Sequence, residues 1–407
     1  MNTVDVRVIN TDDNEKYLYP SRSVEIRVSS SNRIITPTRA VTDYEFNQKA
    51  LIPTEMPIEN QVYISVADLN WGEFQKFMHV NGYYAKVIST MELKSRLSQY
   101  SNLRLFLLKP TITDTVDEET GKINYAPMKL LEQNPALLER FIRVIIQMQN
   151  EVGVNPVTIP FLELPLEQYK EIIRDVYLSL GKIGKQPVFF IDMRYQHFQP
   201  IVDLLTKEYQ SNLIGLYFRK YREANLNYDY LRDYAKKDVA FLATLVDRSS
   251  LYDISTMHYL PFLGNDIYAV KRTPGFAKYV KDENGYVRDE TGKKIVAPVE
   301  YTAKNIAFFD KENLCIENIN KNPKLVQLFL AEYRNDDFIT ALLKNRNNVE
   351  GKKRDCDALK AFSKVSELIS SQSEFISFQD YVKQDSSADY IDDRAVLKQT
   401  LSEIAKL

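Results

Sequence analysis

Four short apolar runs, each ending in polar or charged residues and separated by helix-like segments, constrain this chain more than any other feature. They cover residues 157–163, 188–192, 213–219 and 239–247, and a fifth run, 267–271, follows a Gly264-Asn265-Asp266 turn. A strand buried on both faces needs a continuous apolar run, and regular alternation with helices marks β/α units. The pattern predicts an α/β protein built on a (β/α)8 TIM-like barrel. In such a barrel the strand ends at one mouth carry the active site, so Glu163, Asp192, Arg219, Asp247 and Arg248 become candidates together.

The flanking segments read differently. Residues 4–8 and 24–28 alternate apolar and polar side chains at period two, which predicts an N-terminal β-rich layer over residues 1–58. The barrel is expected over 59–310, with early strands at 61–66 and 103–108. Leu137, Leu138, Phe141, Ile142, Ile145 and Ile146 recur at helical spacing and predict one long amphipathic helix over 128–152. Crossover helices are expected at 166–180, 198–209 and 227–237. Two turn signals, Asp282-Glu-Asn-Gly285 and Asp289-Glu-Thr-Gly292, predict a hairpin excursion near 279–298. Residues 311–407 read as a charged, helical C-terminal region appended to the barrel.

Composition narrows the class. The 407 residues are 44% hydrophobic and 27% charged, as in ordinary globular proteins, and no run approaches the roughly 18 apolar residues of a membrane span. The first residues lack the basic-then-apolar layout of a secretory signal, and Cys315 and Cys356 are too few for a disulfide framework; both point to the cytoplasm. With 53 basic and 55 acidic residues the net charge of -2 gives no global footprint for nucleic acid, although a local basic face is compatible with it. His79, His197 and His258 have no partners at helical spacing and the cysteines form no CxxC, so neither a metal site nor a cofactor is expected. GxGxxG, GxxxxGK[ST] and GxSxG are all absent.

What remains is the charged set at the strand ends. A partly desolvated carboxylate beside a basic residue can act as a base or nucleophile, and Asp192 with Arg194, or Asp247 with Arg248, offers that chemistry. Neighbours on one strand point to opposite faces, so Asp247 and Arg248 share a pocket only if the strand has already ended. Arg219-Lys220-Tyr221-Arg222 and Lys271-Arg272 could hold phosphates while Tyr217 or Tyr221 stacks on a base; a solvated loop is the competing reading.

The order of landmarks from Leu103 to Thr291 resembles the tRNA-guanine transglycosylase superfamily, including its archaeosine-type and DNA-base-exchanging relatives. Gly121-Lys-Ile-Asn-Tyr-Ala-Pro127 resembles the family's short hairpin and proline before a barrel helix, Ile214-Gly215-Leu216 its Gly-Gly-Leu strand, and Gly264-Asn265-Asp266 its Gly-x-Asp; Phe276-Ala-Lys-Tyr279 is similar to the archaeal version of the next segment. The resemblance covers a little under half of the chain and implies base recognition around Glu163, Asp192 and Gly215. The departures fall on the chemistry. The family's Asp-Ser-Gly-Gly motif would lie near Leu108-Lys109-Pro110-Thr111, which has no aspartate; its nucleophile position is Ala269; its zinc cysteines reduce to Cys315. Alanine cannot form the covalent intermediate of base exchange.

Three readings stand side by side. The first is a divergent transglycosylase-like barrel, a pseudoenzyme or tRNA-modification relative, that binds a nucleobase, RNA or DNA through Glu163, Arg194, Gly215, Arg219, Lys220, Arg248, Lys271 and Arg272. The second is an enzyme of unrelated chemistry using Asp192, Asp247 and Arg194 on a small substrate; the candidate catalytic carboxylates are Asp192, Asp247 and Asp266. The third is a non-catalytic scaffold working through its C-terminal helices. A homodimer is compatible with each.

Overall fold

The computed structural model describes residues 4–13, 16–17, 19–28, 32–48, 61–100, 102–110, 115–116, 123–124, 126–218, 226–245, 257–269, 277–279, 299–301, 307–318, 322–332, 336–344 and 353–405. The alternating N-terminal segments pair as an antiparallel sheet of β1 (Asp5–Asp12), β2 (Ser21–Arg27) and β3 (Arg33–Ile35), with Val6 opposite Ile26 and Val8 opposite Val24. The chain then enters the main sheet at β4 (Thr38–Arg39). After it come β5 (Tyr63–Leu69), β6 (Arg104–Pro110), the two-residue pair β7 (Thr115–Val116) and β8 (Ile123–Asn124), and then β9 (Val157–Ile159), β10 (Pro187–Asp192), β11 (Leu213–Phe218), β12 (Ala240–Leu245) and β13 (Ile267–Ala269).

The protein is α/β, with a parallel six-stranded sheet in the order β4-β13-β12-β11-β10-β9 and a parallel pair β5-β6. All six residues of β10 are buried, as the continuous apolar run requires. Because β4 pairs with β13, the main sheet begins within residues 1–58, the segment expected to form only the N-terminal layer. Beyond β13, Ala277–Tyr279 pairs antiparallel with Val299–Tyr301, and the two turn signals of the expected excursion lie outside the described residues.

The crossover helix Leu166–Gly181 matches its expected span. The expected helix over 128–152 is instead two, Pro127–Gln133 and Pro135–Glu151. Pro135 has no N–H to continue the first helix, and the Asn134 side chain accepts from the Leu137 N–H at 3.1 Å to start the second. The expected helix over 198–209 changes pitch after Asp203, where Leu204–Glu208 forms a π turn.

The C-terminal helices are not an appendage in packing terms. The helix Lys353–Lys383 lies on the sheet, with Phe375 edge-on to Tyr268 at 5.6 Å and Phe378 edge-on to Phe262 at 4.8 Å. Leu368, Val382, Tyr390 and Leu401 belong to the same hydrophobic core as the strands. Among the described residues no helix is long and apolar enough to cross a membrane.

Candidate functional site

Strand register sets which side chains share a level. Asp192 of β10 lies opposite Tyr217 of β11, Tyr217 opposite Thr244 of β12, and Thr244 opposite Ala269 of β13. In-register neighbours in a parallel sheet point the same way, so these four form one row at the C-terminal ends of the strands. Their face follows from β10. Phe189 packs its ring on Tyr169 and Tyr177 of the helix Leu166–Gly181, so Phe190 and Asp192 point away from the helices. All four residues of the row are buried.

The same parity places a residue that sequence reasoning passed over. The Tyr63 and Ser65 hydroxyls both donate to Asp43 on the helical side. Their partners on β6, Arg104 and Phe106, share that side, which leaves Leu105, Leu107 and Lys109 on the other. Lys109 is therefore a buried cation, 6% exposed, at the C-terminal end of β6 and facing away from the helices as Asp192 does. The usable signal was positional: it is the first polar residue after the apolar run 103–108.

Around the row the environment is aromatic. Phe161, just beyond β9, meets Tyr195 edge-on at 5.6 Å and Tyr217 at 6.4 Å. The Phe190 ring lies across Gly215, where a Cβ would come within 2.4 Å of it, so the glycine is required for packing. Asp192 folds one carboxylate oxygen back onto the Arg194 N–H at 2.8 Å, an Asx turn that fixes its direction. The Arg194 and Glu163 side chains are exposed at the rim. Burial, with the neighbouring Glu163 charge, pushes the Tyr195 phenol up to about 12. Burial likewise raises the Glu132 carboxyl, and Glu163 adds to the effect.

Asp266 does not join this group. It precedes β13 by one residue, three levels below the Asp192 row, about 10 Å along the strand direction. Its carboxylate takes the Arg22 guanidinium at 3.0 and 2.5 Å and the Phe241 N–H at 2.7 Å, while Arg22 also donates to the Tyr234 and Val239 carbonyls. Both side chains are 3% exposed. The proposed catalytic aspartate is thus a structural anchor that ties the N-terminal sheet to the opposite end of the strands. In the preceding turn, Gly264 has φ of 87° and a Cβ there would meet the Tyr19 ring. Asp247, Arg219, Lys220, Arg248, Lys271 and Arg272 lie outside the described residues.

A second polar centre sits on the helical side. Arg39 reaches Glu45 at 2.6 Å and Glu367 at 3.0 Å, while Lys364 lies 3.3 Å from Glu45 and 3.7 Å from Glu367; all four side chains are fully buried. Two cations and two carboxylates leave the cluster neutral. Burial works against the charge on Glu45, but Arg39 and Lys364 outweigh it and hold the carboxyl below its ordinary range. His258 completes the centre, with Nδ1 2.7 Å from the Tyr268 hydroxyl and Nε2 3.5 Å from Glu367. Burial, reinforced by Arg39 and Lys364 against the opposing pull of Glu367, lowers its pKa to about 4.

A histidine that stays neutral in the folded state while the unfolded chain protonates near 6.5 stabilises the fold fully above that pH, and the contribution is lost as pH falls toward 4. The full difference corresponds to roughly 3 kcal/mol. Urea unfolding at pH 7 and pH 5 is expected to show a stability loss that shrinks in His258→Asn; an unchanged loss would assign the pH dependence to other groups.

On the hairpin Ala307–Asp310 and Cys315–Asn318, the ligand atoms of Asp310, Cys315 and Glu317 lie within 4.8 Å of one another. Burial, with Glu317 and Asp310 nearby, pushes the Cys315 thiol up to about 12, away from the thiolate that metals bind. Asp310 already accepts from the Glu312 N–H and the Asn313 amide, and Glu317 from the Asn322 amide. A groove of ≈ 390 Å³ between the helices Pro135–Glu151 and Leu166–Gly181, lined by Ile142, Ile146, Ile172 and Leu178, is remote from the strand ends.

Comparisons with protein-family models, with curated proteins and with solved structures find no match to this chain.

Proposed function

We propose that the eight parallel strands close into a transglycosylase-like barrel whose mouth binds a nucleobase, free or within a nucleic acid, without covalent aspartate chemistry. Closure is supported at both gaps between the sheet and the β5-β6 pair. Val41, just after β4, bridges to Tyr63 of β5, with the Val41 N–H on the Val62 carbonyl and the Ile64 N–H on the Val41 carbonyl. On the other side the Thr158 hydroxyl of β9 donates to the Phe106 carbonyl of β6. Closed in this order, the face turned from the helices becomes the barrel interior, and the Asp192 row lies at its C-terminal mouth.

The row carries the functional reading. The Asp192 carboxylate accepts hydrogen bonds from the N–H edge of a purine, the rings of Phe161, Tyr195 and Tyr217 supply flat apolar surface, and Thr244 adds a hydroxyl. At the same level Ala269 offers no nucleophile, so the row suits recognition better than base exchange. Titration calorimetry with purine bases, and with short RNA and DNA at low salt, tests this. Asp192→Asn is expected to weaken binding at least about tenfold, the loss of one charge-assisted hydrogen bond. Absence of binding by wild type to all of these, or undiminished binding by the variant, would overturn the reading.

A second reading, a small-substrate enzyme, draws on the raised Glu132 carboxyl near Glu163 at the rim, an arrangement suited to general acid work. Its check is a pH–rate profile whose alkaline limb, the fall in rate as the acid loses its proton, disappears in Glu132→Gln.

A further inference from the structure

We propose that the groove between the helices Pro135–Glu151 and Leu166–Gly181 is a two-fold interface that takes the same face of a second copy of this chain. The inference is independent of the nucleobase reading, because the groove shares no residue with the Asp192 row.

The two helices meet along facing stripes. Ile142 and Ile146 on the first, and Ile172 and Val176 on the second, each stand one helical turn apart and floor a groove of ≈ 390 Å³. Leu178 lines it with 59% of its surface exposed, and Ile183, 47% exposed, follows two residues past the end of the same helix. Single exposed apolar side chains are ordinary, but two of them beside an apolar floor make a continuous patch, and such patches mark contact surfaces.

The rim decides the occupant. Glu139 and Arg143 edge the groove on one helix, Asp175 and Lys182 on the other, so acids and bases balance. A rim of one sign would suit a partner of the opposite sign; a balanced rim suits itself. The order of the charges agrees. Each helix leads into one of the parallel strands β9 and β10, so the two run in the same direction, and on each the acid precedes the base. A two-fold axis across the groove turns the second copy end for end and sets the acids of one copy against the bases of the other. Asp175 and Lys182 stand about two turns apart, with Leu178 and Ser179 midway between them. An axis through that midpoint pairs Asp175 with Lys182 of the second copy, twice by symmetry. It also lays Leu178 over the second copy's apolar floor, while the small Ser179 lets the helices approach closely. The local pairs Glu139–Arg143 and Arg174–Asp175 are exposed, so exchanging them for pairs across the interface costs little.

Sedimentation velocity on the full chain tests this, with thermal unfolding to confirm folded protein. Wild type is expected to pass from monomer to dimer between about 1 and 100 μM, and Leu178→Asp to weaken that association at least about tenfold. Asp175→Lys and Lys182→Glu are each expected to weaken it as much, because each sets like charges against one another twice. Mixed one to one, the two charge variants are expected to regain dimer at near wild-type affinity, since every facing pair is then opposite in sign. A fold defect would not be repaired by mixing. Wild type that stays monomeric throughout would overturn the inference and leave the groove to a different protein. A dimer untouched by Leu178→Asp would overturn it too, as would charge variants that stay apart when mixed. Should Leu178→Asp not fold, the two exposed charge variants and their mixture still decide. Purine binding is expected to be equal in all of these proteins, so its absence bears on the nucleobase reading alone.

Discussion

Glu367→Ala is expected to destabilise the protein by about 3–5 kcal/mol, the cost of breaking a fully buried ion pair from one side. The cost does not lie in the lost attraction alone. Arg39 and Lys364, both fully buried, would keep Glu45 but lose the Glu367 carboxylate, and the four-residue cluster would pass from neutral to a net positive charge inside the core. The His258 ring would also lose the carboxylate beside its Nε2. Chemical denaturation checks the size of the effect. A double replacement of Lys364 and Glu367 by methionine keeps the cluster neutral and is expected to recover part of the loss, since a buried pair exchanged for apolar residues is often tolerated. A single-variant loss below about 1 kcal/mol would mean that water reaches the cluster and that the helix Lys353–Lys383 is held by its apolar contacts instead.

Asp266→Ala is expected to cost a similar amount, about 3–5 kcal/mol, and it separates the two roles available to this aspartate. As a structural anchor, its removal leaves the Arg22 guanidinium and the Phe241 N–H without their buried acceptor, so stability falls sharply. Ligand binding at the Asp192 row is then expected to persist at temperatures where the variant is folded, because the two aspartates lie at different levels of the sheet. As a catalytic group it would behave the opposite way, with unchanged stability and lost function. Thermal unfolding and a binding titration on one variant preparation distinguish these results.

The strands from β9 to β13 were legible because each is a continuous apolar run, and burial on both faces leaves no other way to write them. β4 was not, since two residues in a Thr-Pro-Thr-Arg context carry no periodicity; pairing with β13 alone makes them a strand. The break at Pro135 was readable from its missing N–H, but the apolar spacing on either side masked it. Asp192 was found because it ends a run. Lys109 ends one too, yet its face could be known only from which of its β5 neighbours bond to Asp43.

The sequence by itself determined the α/β class, the parallel strands and the place of Asp192 at the end of one of them, because hydrophobic period and run length act over a few neighbouring residues. Only the tertiary structure decided which charged residues meet. Register places Asp192, Tyr217, Thr244 and Ala269 on one level, leaves Asp266 three residues below in the hands of Arg22, and brings Arg39 and Glu367, far apart in the chain, into one buried pair. Such pairings depend on contacts between distant segments, and the local pattern of residues carries no record of them.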